Sequence, residues 1–205
     1  MRLPADEGWT RTAAASILIG AAGGALLFAC TDGFRAFTTE QARRISIERS
    51  PRAVPPVVME DQDGRTLSMA DYGGQTVAVN FVYTQCASVC ALLSAGFQRV
   101  HNASVDGDDL QLLSVSFDPR DTAERLKEYA SHFGADGQAW RFARVRDTTA
   151  IASLLHAFGV VVVPDGKGDF QHNAAIHVVN ADGKLAHVLD PDVSRDVVLK
   201  AMRGR

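Results

Sequence analysis

The chain has no surplus of positive charge and no place where basic and aromatic residues gather. Its 21 lysines and arginines are outnumbered by 24 aspartates and glutamates, and they are scattered along 205 residues. A surface that tracks a phosphate backbone needs the opposite pattern, so nucleic-acid binding is set aside. Internal repeats are also lacking, and the glycines are dispersed rather than collected in a low-complexity tract. Cysteine is scarce, with three in all. What remains is 46% hydrophobic and 22% charged, the composition of a globular protein with room for one domain and an appendage.

One long apolar run is present. Ala13 to Cys30 carries no charge, includes Ile17, Leu18 and Ile19, and ends on Leu26, Leu27, Phe28 and Ala29. A run of this length just spans a bilayer. Arg2 and Arg11 precede it and favour a cytoplasmic N-terminus, although Asp6 and Glu7 dilute that bias. The plainer account is a buried core helix, but the length of the run favours the membrane. Leu27 to Cys30 also resembles a lipoprotein cleavage box with an acylatable cysteine, although Phe28 fits that pattern poorly. Residues 1–30 therefore read as a signal anchor or a lipoprotein signal. Either places the remainder of the chain on the outer, periplasmic face of a membrane.

That compartment is oxidising, so the cysteines need a role. Cys30 lies in the anchor. Cys86 and Cys90 remain as a pair, open to three uses: a disulfide, a soft-metal clip or a redox couple.

Residues 31–56 are polar, broken by Pro51, Pro55 and Pro56, and show little periodicity; they read as a tether. The domain, residues 57–205, opens with a small hairpin, Val57 to Met59 and Thr66 to Met69, turning at Asp61 to Gly64. Thr76 to Tyr83 reads TVAVNFVY, a β-branched and aromatic run suited to a central strand buried on both faces. Leu92, Leu93, Phe97 and Val100 come next at helical spacing over residues 88–101, and Leu110 to Phe117 returns to strand character. Asp121 and Glu124 form a helix start signal before the stripe Leu126, Tyr129, Ala130 and Phe133. Trp140 to Val145 is the next strand, and Asp147 precedes a helix ended by Gly159. Val160 to Val163, Ala175 to Val179 and Leu185 to Leu189 read as further strands of the sheet, and a helix over residues 193–202 closes the chain. The late strands are joined by turns too short for parallel crossovers, which predicts an α/β fold: a thioredoxin-like sandwich with a central mixed β-sheet.

In such a fold the end of the first long strand and the start of its helix form an exposed site. Cys86 and Cys90 fall there, four residues apart and about one turn from each other, near enough to close a disulfide or to hold one ion. The positive end of the helix is expected to lower both thiol pKa values and favour the thiolate, the form that binds metal and attacks disulfides. Two thiolates suit Cu(I), and one added imidazole gives a site that also accepts Cu(II). Among six histidines, His101, His132 and His156 fall on helices, and His177 and His187 in strands. His172 stands alone in the loop entering the Ala175 strand, which this topology brings against the first helix. An isolated histidine is more often solvated or structural than a ligand.

Three strings in order, VNFVYTQCASVC, SVSFDPRDT and FQHNAAIHVVNADGKL, resemble the SCO/SenC family of copper proteins that assist assembly of cytochrome c oxidase. The likeness covers Val57 to Leu189. It implies one copper ion, Cu(I) or Cu(II), bound by Cys86, Cys90 and His172. It also implies a membrane-tethered metallochaperone that delivers copper to the CuA centre. The partners it implies are the copper-bearing oxidase subunit, other copper chaperones and, through the anchor, the membrane. Some residues depart from the family pattern. Ala87 and Ala91 stand where the family usually has proline. Gln171, His172 and Asn173 replace its Asp-His-Ser, which removes a carboxylate beside the imidazole. Asp118 matches an aspartate of the family's DPxxDT segment and reads either as a support or partner-facing group, or as a plain turn residue.

Three other functions compete. A thiol-disulfide oxidoreductase would use Cys86 to attack and Cys90 to resolve, reducing the cysteines of the oxidase copper site. A peroxidase is suggested by Thr84 ahead of Cys86, but the approach to the cysteine lacks the expected prolines and leaves His172 without a role. A structural disulfide across four residues closes little chain and stabilises weakly.

Overall fold

The computed structural model describes residues 6–86, 89–103, 110–192 and 194–203. Two compact units divide at residue 46/47. The first holds helix α1, Asp6–Cys30. Its apolar span, Gly8–Cys30, has 23 residues and is about 35 Å long at about 1.5 Å per residue, enough to cross the hydrocarbon of a bilayer. Ile17, Leu18, Leu26 and Leu27 all face outward, as lipid-facing side chains would.

Within the stretch expected to be a tether lie helix α2, Thr39–Arg49, and strand β1, Arg52–Ala53. α2 lacks an apolar period because local polar contacts support it. Thr38 Oγ1 accepts from the Gln41 amide at 3.1 Å, Gln41 Oε1 accepts from the Phe37 amide at 2.9 Å, and Glu40 pairs with Arg43 and Arg44 one turn on. The second unit begins at Ile47, which is fully buried.

That unit is built on an eight-stranded sheet. Strands β2 (Met59–Asp61) and β3 (Thr66–Leu67) form the expected hairpin at one edge. Strand β4, Thr76–Val82, is buried along its whole length and is succeeded by helix α3, Val89–Asn102. Strand β5 (Leu110–Ser116), helix α4 (Ala123–His132), strand β6 (Trp140–Arg144) and helix α5 (Thr148–Phe158) come next. After strands β7 (Val162–Pro164) and β8 (Phe170–His172), the chain ends in strands β9 (Ile176–Val179) and β10 (Lys184–Leu189) and helix α6 (Arg195–Arg203). The sheet order is β1-β10-β9-β4-β5-β6-β2-β3. β4, β5 and β6 run parallel, and β9 pairs antiparallel to β4. This is the thioredoxin-like arrangement. Ser88 and Val193, expected to start the first and last helices of the domain, lie outside the described residues.

Two expectations are corrected. The 160–163 run does not join the main sheet: among the described residues β7 pairs only with β8, as a separate two-stranded ribbon. Val161 and Val163 are 63% and 53% exposed, so they have no buried face to add to a core strand, and Pro164 lacks an amide for a longer ladder. His172 is consequently the last residue of a strand rather than a loop residue. The α4 start signal is also reassigned. Thr122 caps the helix, accepting from the Arg125 amide, whereas Asp121 turns inward and is 1% exposed.

The core packs Trp140 and Phe142 of β6 against each other, and Trp140 against Phe97 of α3. Gly96 allows α3 its seat: a Cβ there would stand 2.8 Å from the Pro191 carbonyl oxygen. Gly159 takes the left-handed conformation, φ 66°, that ends α5.

Candidate metal centre

β4 ends at Val82, and the chain then turns through Tyr83, Thr84 and Gln85 to Cys86, whose amide donates to the Tyr83 carbonyl at 3.3 Å. Asp121 fixes this turn. Its carboxylate accepts from the Thr84 amide at 3.0 Å and from the hydroxyls of Thr84 and Ser116, joining the ends of β4 and β5 to the start of α4. The Thr84 hydroxyl is thus engaged with Asp121, in contrast to the role a peroxidase would give it.

Cys86 and Cys90 are both buried, Cys90 completely. The Cys90 amide, in the first turn of α3, points at Cys86 Sγ at 3.4 Å, so the helix N-terminus acts on Cys86. At Cys90 burial dominates. Loss of solvation, with the neighbouring Cys86 sulfur second, pushes its thiol well above the ordinary value. The expectation that both sulfurs ionise readily is therefore corrected for Cys90, which is a neutral thiol at pH 7.

His172 comes from the ribbon, 82 positions along the chain, and its Nε2 stands 3.6 Å from Cys90 Sγ. Metal–sulfur and metal–nitrogen bonds of about 2.3 and 2.0 Å set two donors about 3.5–3.7 Å apart at tetrahedral to trigonal angles, so this pair is already spaced to share an ion. Burial lowers the imidazole pKa, partly opposed by the Asn173 backbone, and the ring is neutral at pH 7. Its Nδ1 is buried without a well-aligned hydrogen bond. Among the described residues no three His, Cys, Asp or Glu side chains are already drawn together at metal-binding distance. Cys90 and His172 meet, and Cys86 lies on the adjoining turn. Elsewhere, His101 faces Asp136, His187 faces Glu48, and His177 packs between Phe81 and Phe158.

A shell of side chains holds the ribbon in place. Phe117 packs its ring against His172, centroids 5.1 Å apart, and against Phe170. Asp118 is buried and grips Arg120 through both carboxylate oxygens, at 2.9 and 2.7 Å, while the Arg120 guanidinium lies 5.4 Å above the Phe170 ring. Burial raises the Asp118 pKa, but Arg120 outweighs it and holds the carboxyl below its usual range. Asp118 also accepts from the Arg120 amide at 2.9 Å, so it is a turn residue that sits under the ribbon. Asn173 accepts from the Val161 amide at 2.7 Å and donates to the Gly159 carbonyl at 3.1 Å, fastening the ribbon to the end of α5.

The family model described as SCO1/SenC matches residues 48–205. This chain belongs to the SCO1/SenC family. The SCO1 protein homolog of Bacillus subtilis is 25% identical over 136 residues, covering 64% of this chain and 70% of that protein. A SCO1/SenC family lipoprotein from Bacillus anthracis has TM-score 0.68 and 22% identity, covering 76% of this chain and 97% of the other. The copper-bound ScoI of Bradyrhizobium japonicum has TM-score 0.63 and 25% identity, covering 74% and 98%.

Within this SCO1/SenC chain, Ala91 is half-buried on α3 and Gln171 points to solvent; Ala87 lies outside the described residues. Spacing and periodicity did not mark Tyr83, Phe117, Arg120 or Asp169 as neighbours of the cysteine turn and His172. Arg120 and Phe117 stand inside the family-like string SVSFDPRDT and carried that much signal. Asp169 carried none.

Proposed function

We propose that the chain is a membrane-tethered copper carrier. It binds the ion through Cys86, Cys90 and His172 and passes it to the CuA centre in the copper-bearing subunit of cytochrome c oxidase, after loading by other copper chaperones. The observation that carries this reading is the 3.6 Å approach of His172 Nε2 to Cys90 Sγ, made by residues with no reason to meet in a plain core. Membership in a family with copper-bound structures supports it, and α1, long and apolar enough to cross a membrane, supports attachment there.

The donors suit a cargo that must be held and then released. Two sulfurs satisfy Cu(I), and the neutral imidazole offers a lone pair without first losing a proton. Cys90 must lose its proton when the ion arrives, so uptake releases at least one proton. Below the raised thiol pKa, acid competes with copper, and Cu(I) affinity is expected to fall about ten-fold for each pH unit lowered. Competition titrations between pH 6 and 8 measure this, and a flat profile would contradict a neutral Cys90.

The deciding experiment adds Cu(I) and Cu(II) to the reduced, detergent-solubilised full chain and to His172→Ala. The wild type is expected to bind both. His172→Ala is expected to keep Cu(I) and to lose the Cu(II) visible spectrum with about a 100-fold weaker affinity. Unchanged Cu(II) binding in the variant would refute the reading.

The asymmetry of the two thiols favours one second activity, reduction of the oxidase cysteines. Cys86, facing an amide donor, attacks the target disulfide as thiolate and expels one target sulfur. Cys90 then loses its proton, attacks the mixed disulfide and leaves as a Cys86–Cys90 disulfide, with the target reduced by two electrons. Turnover of a disulfide substrate without copper affinity would make this the main activity.

A further inference from the structure

The phenol of Tyr83 sits where both ligand-bearing segments converge. Tyr83 is 2% exposed. Its hydroxyl donates to the Asp169 carboxylate, lies 3.3 Å from the Phe170 carbonyl oxygen, and adjoins the Cys86 thiol. Its ring packs against Phe117 and Phe170, each at 5.3 Å. Tyr83 stands three residues before Cys86, and Asp169 three before His172. One phenolic oxygen thus ties the cysteine turn to the strand that carries the histidine.

The ribbon needs such a tie. A two-stranded hairpin is marginal on its own, and among the described residues this one receives no ladder bonds from the main sheet. Asp169 supplies an acceptor for the buried phenol, whose hydroxyl needs a hydrogen-bond partner away from water.

Resting on the copper site proposed above, we propose that Tyr83 is a positioning residue: its hydrogen bonds to Asp169 and Phe170 seat the β7–β8 ribbon so that His172 reaches copper held by Cys86 and Cys90. Cu(II), which needs the imidazole, depends on this seating; Cu(I), satisfied by two sulfurs, does not.

The test uses Tyr83→Phe and Asp169→Ala in the detergent-solubilised full chain, with His172→Ala beside them. Each of the first two is expected to weaken Cu(II) about 10-fold, within the range usual for groups that support a ligand. Each should also shift the visible spectrum towards that of His172→Ala, with Cu(I) affinity held within about two-fold and the double variant no weaker than either single one. If His172→Ala loses Cu(II) while Tyr83→Phe and Asp169→Ala match wild type in affinity and spectrum, the positioning role is refuted and the copper site stands. If His172→Ala itself leaves Cu(II) unchanged, the copper site fails, and the positioning role with it. A parallel loss of Cu(I) and Cu(II) with a lowered melting temperature would show a merely structural role and also overturn the proposal. Asp169 is exposed, so Asp169→Ala keeps the test open should Tyr83→Phe fold poorly.

Discussion

Replacing Cys90 with serine is expected to lower Cu(I) affinity by more than about 100-fold, because groups that merely support a ligand already account for about 10- to 100-fold. The substitution keeps the volume of the side chain and removes its chemistry. A hydroxyl does not ionise near neutral pH and is a hard donor, poorly matched to Cu(I). Cys90 is fully buried and faces His172, so neither water nor a second thiol takes over its place. Titration against a chromophoric Cu(I) chelator reads the effect, and affinity retained within about ten-fold would show that Cys90 is no ligand.

Replacing Asp121 with alanine is expected to cost about 3 kcal/mol of stability, because buried donors left without an acceptor cost about 1–3 kcal/mol each. Three donors converge on this carboxylate: the Thr84 amide and the hydroxyls of Thr84 and Ser116. The hydroxyls rotate to find other partners, whereas the amide does not, so the total lies below a simple sum. For a chain of this size the melting temperature should fall by roughly 6–12 °C. A scanning melt of the apo protein checks this, and a drop under about 2 °C would show that the three donors find other acceptors. Since the same contacts shape the turn to Cys86, copper affinity should fall alongside.

The parts of the fold that were legible in the sequence share a physical cause: they satisfy their backbone and bury their side chains locally. Seven consecutive buried residues make β4, and no solvent-facing alternation obscures them. Asp147 and Gly159 bracket α5 as cap and left-handed stop. The position of the cysteine turn is set by the strand and helix on either side of it. What escaped was held by contacts between residues far apart in sequence or by polar contacts alone. β1 is two residues long and exists through its pairing with β10. Asp121 resembles a helix cap from its spacing to Glu124, and only the proximity of Thr84, 37 positions earlier, gives it a different role. Val160 to Val163 has the composition of a core strand, yet its alternate valines face solvent because the next residue is a proline and its partner is a short returning strand. For the candidate ligands, spacing brought Cys86 and Cys90 to one turn. His172 needed the topology.

The sulfur donors are rooted in the eight-stranded sheet and its helix, whereas the nitrogen donor rides on a ribbon that is not part of that sheet. If copper is held as proposed, the two kinds of ligand would have different mechanical footing. The seated ribbon and an ion that needs the imidazole would then favour each other reciprocally, so anything that lifts the ribbon would favour the valence that two sulfurs satisfy.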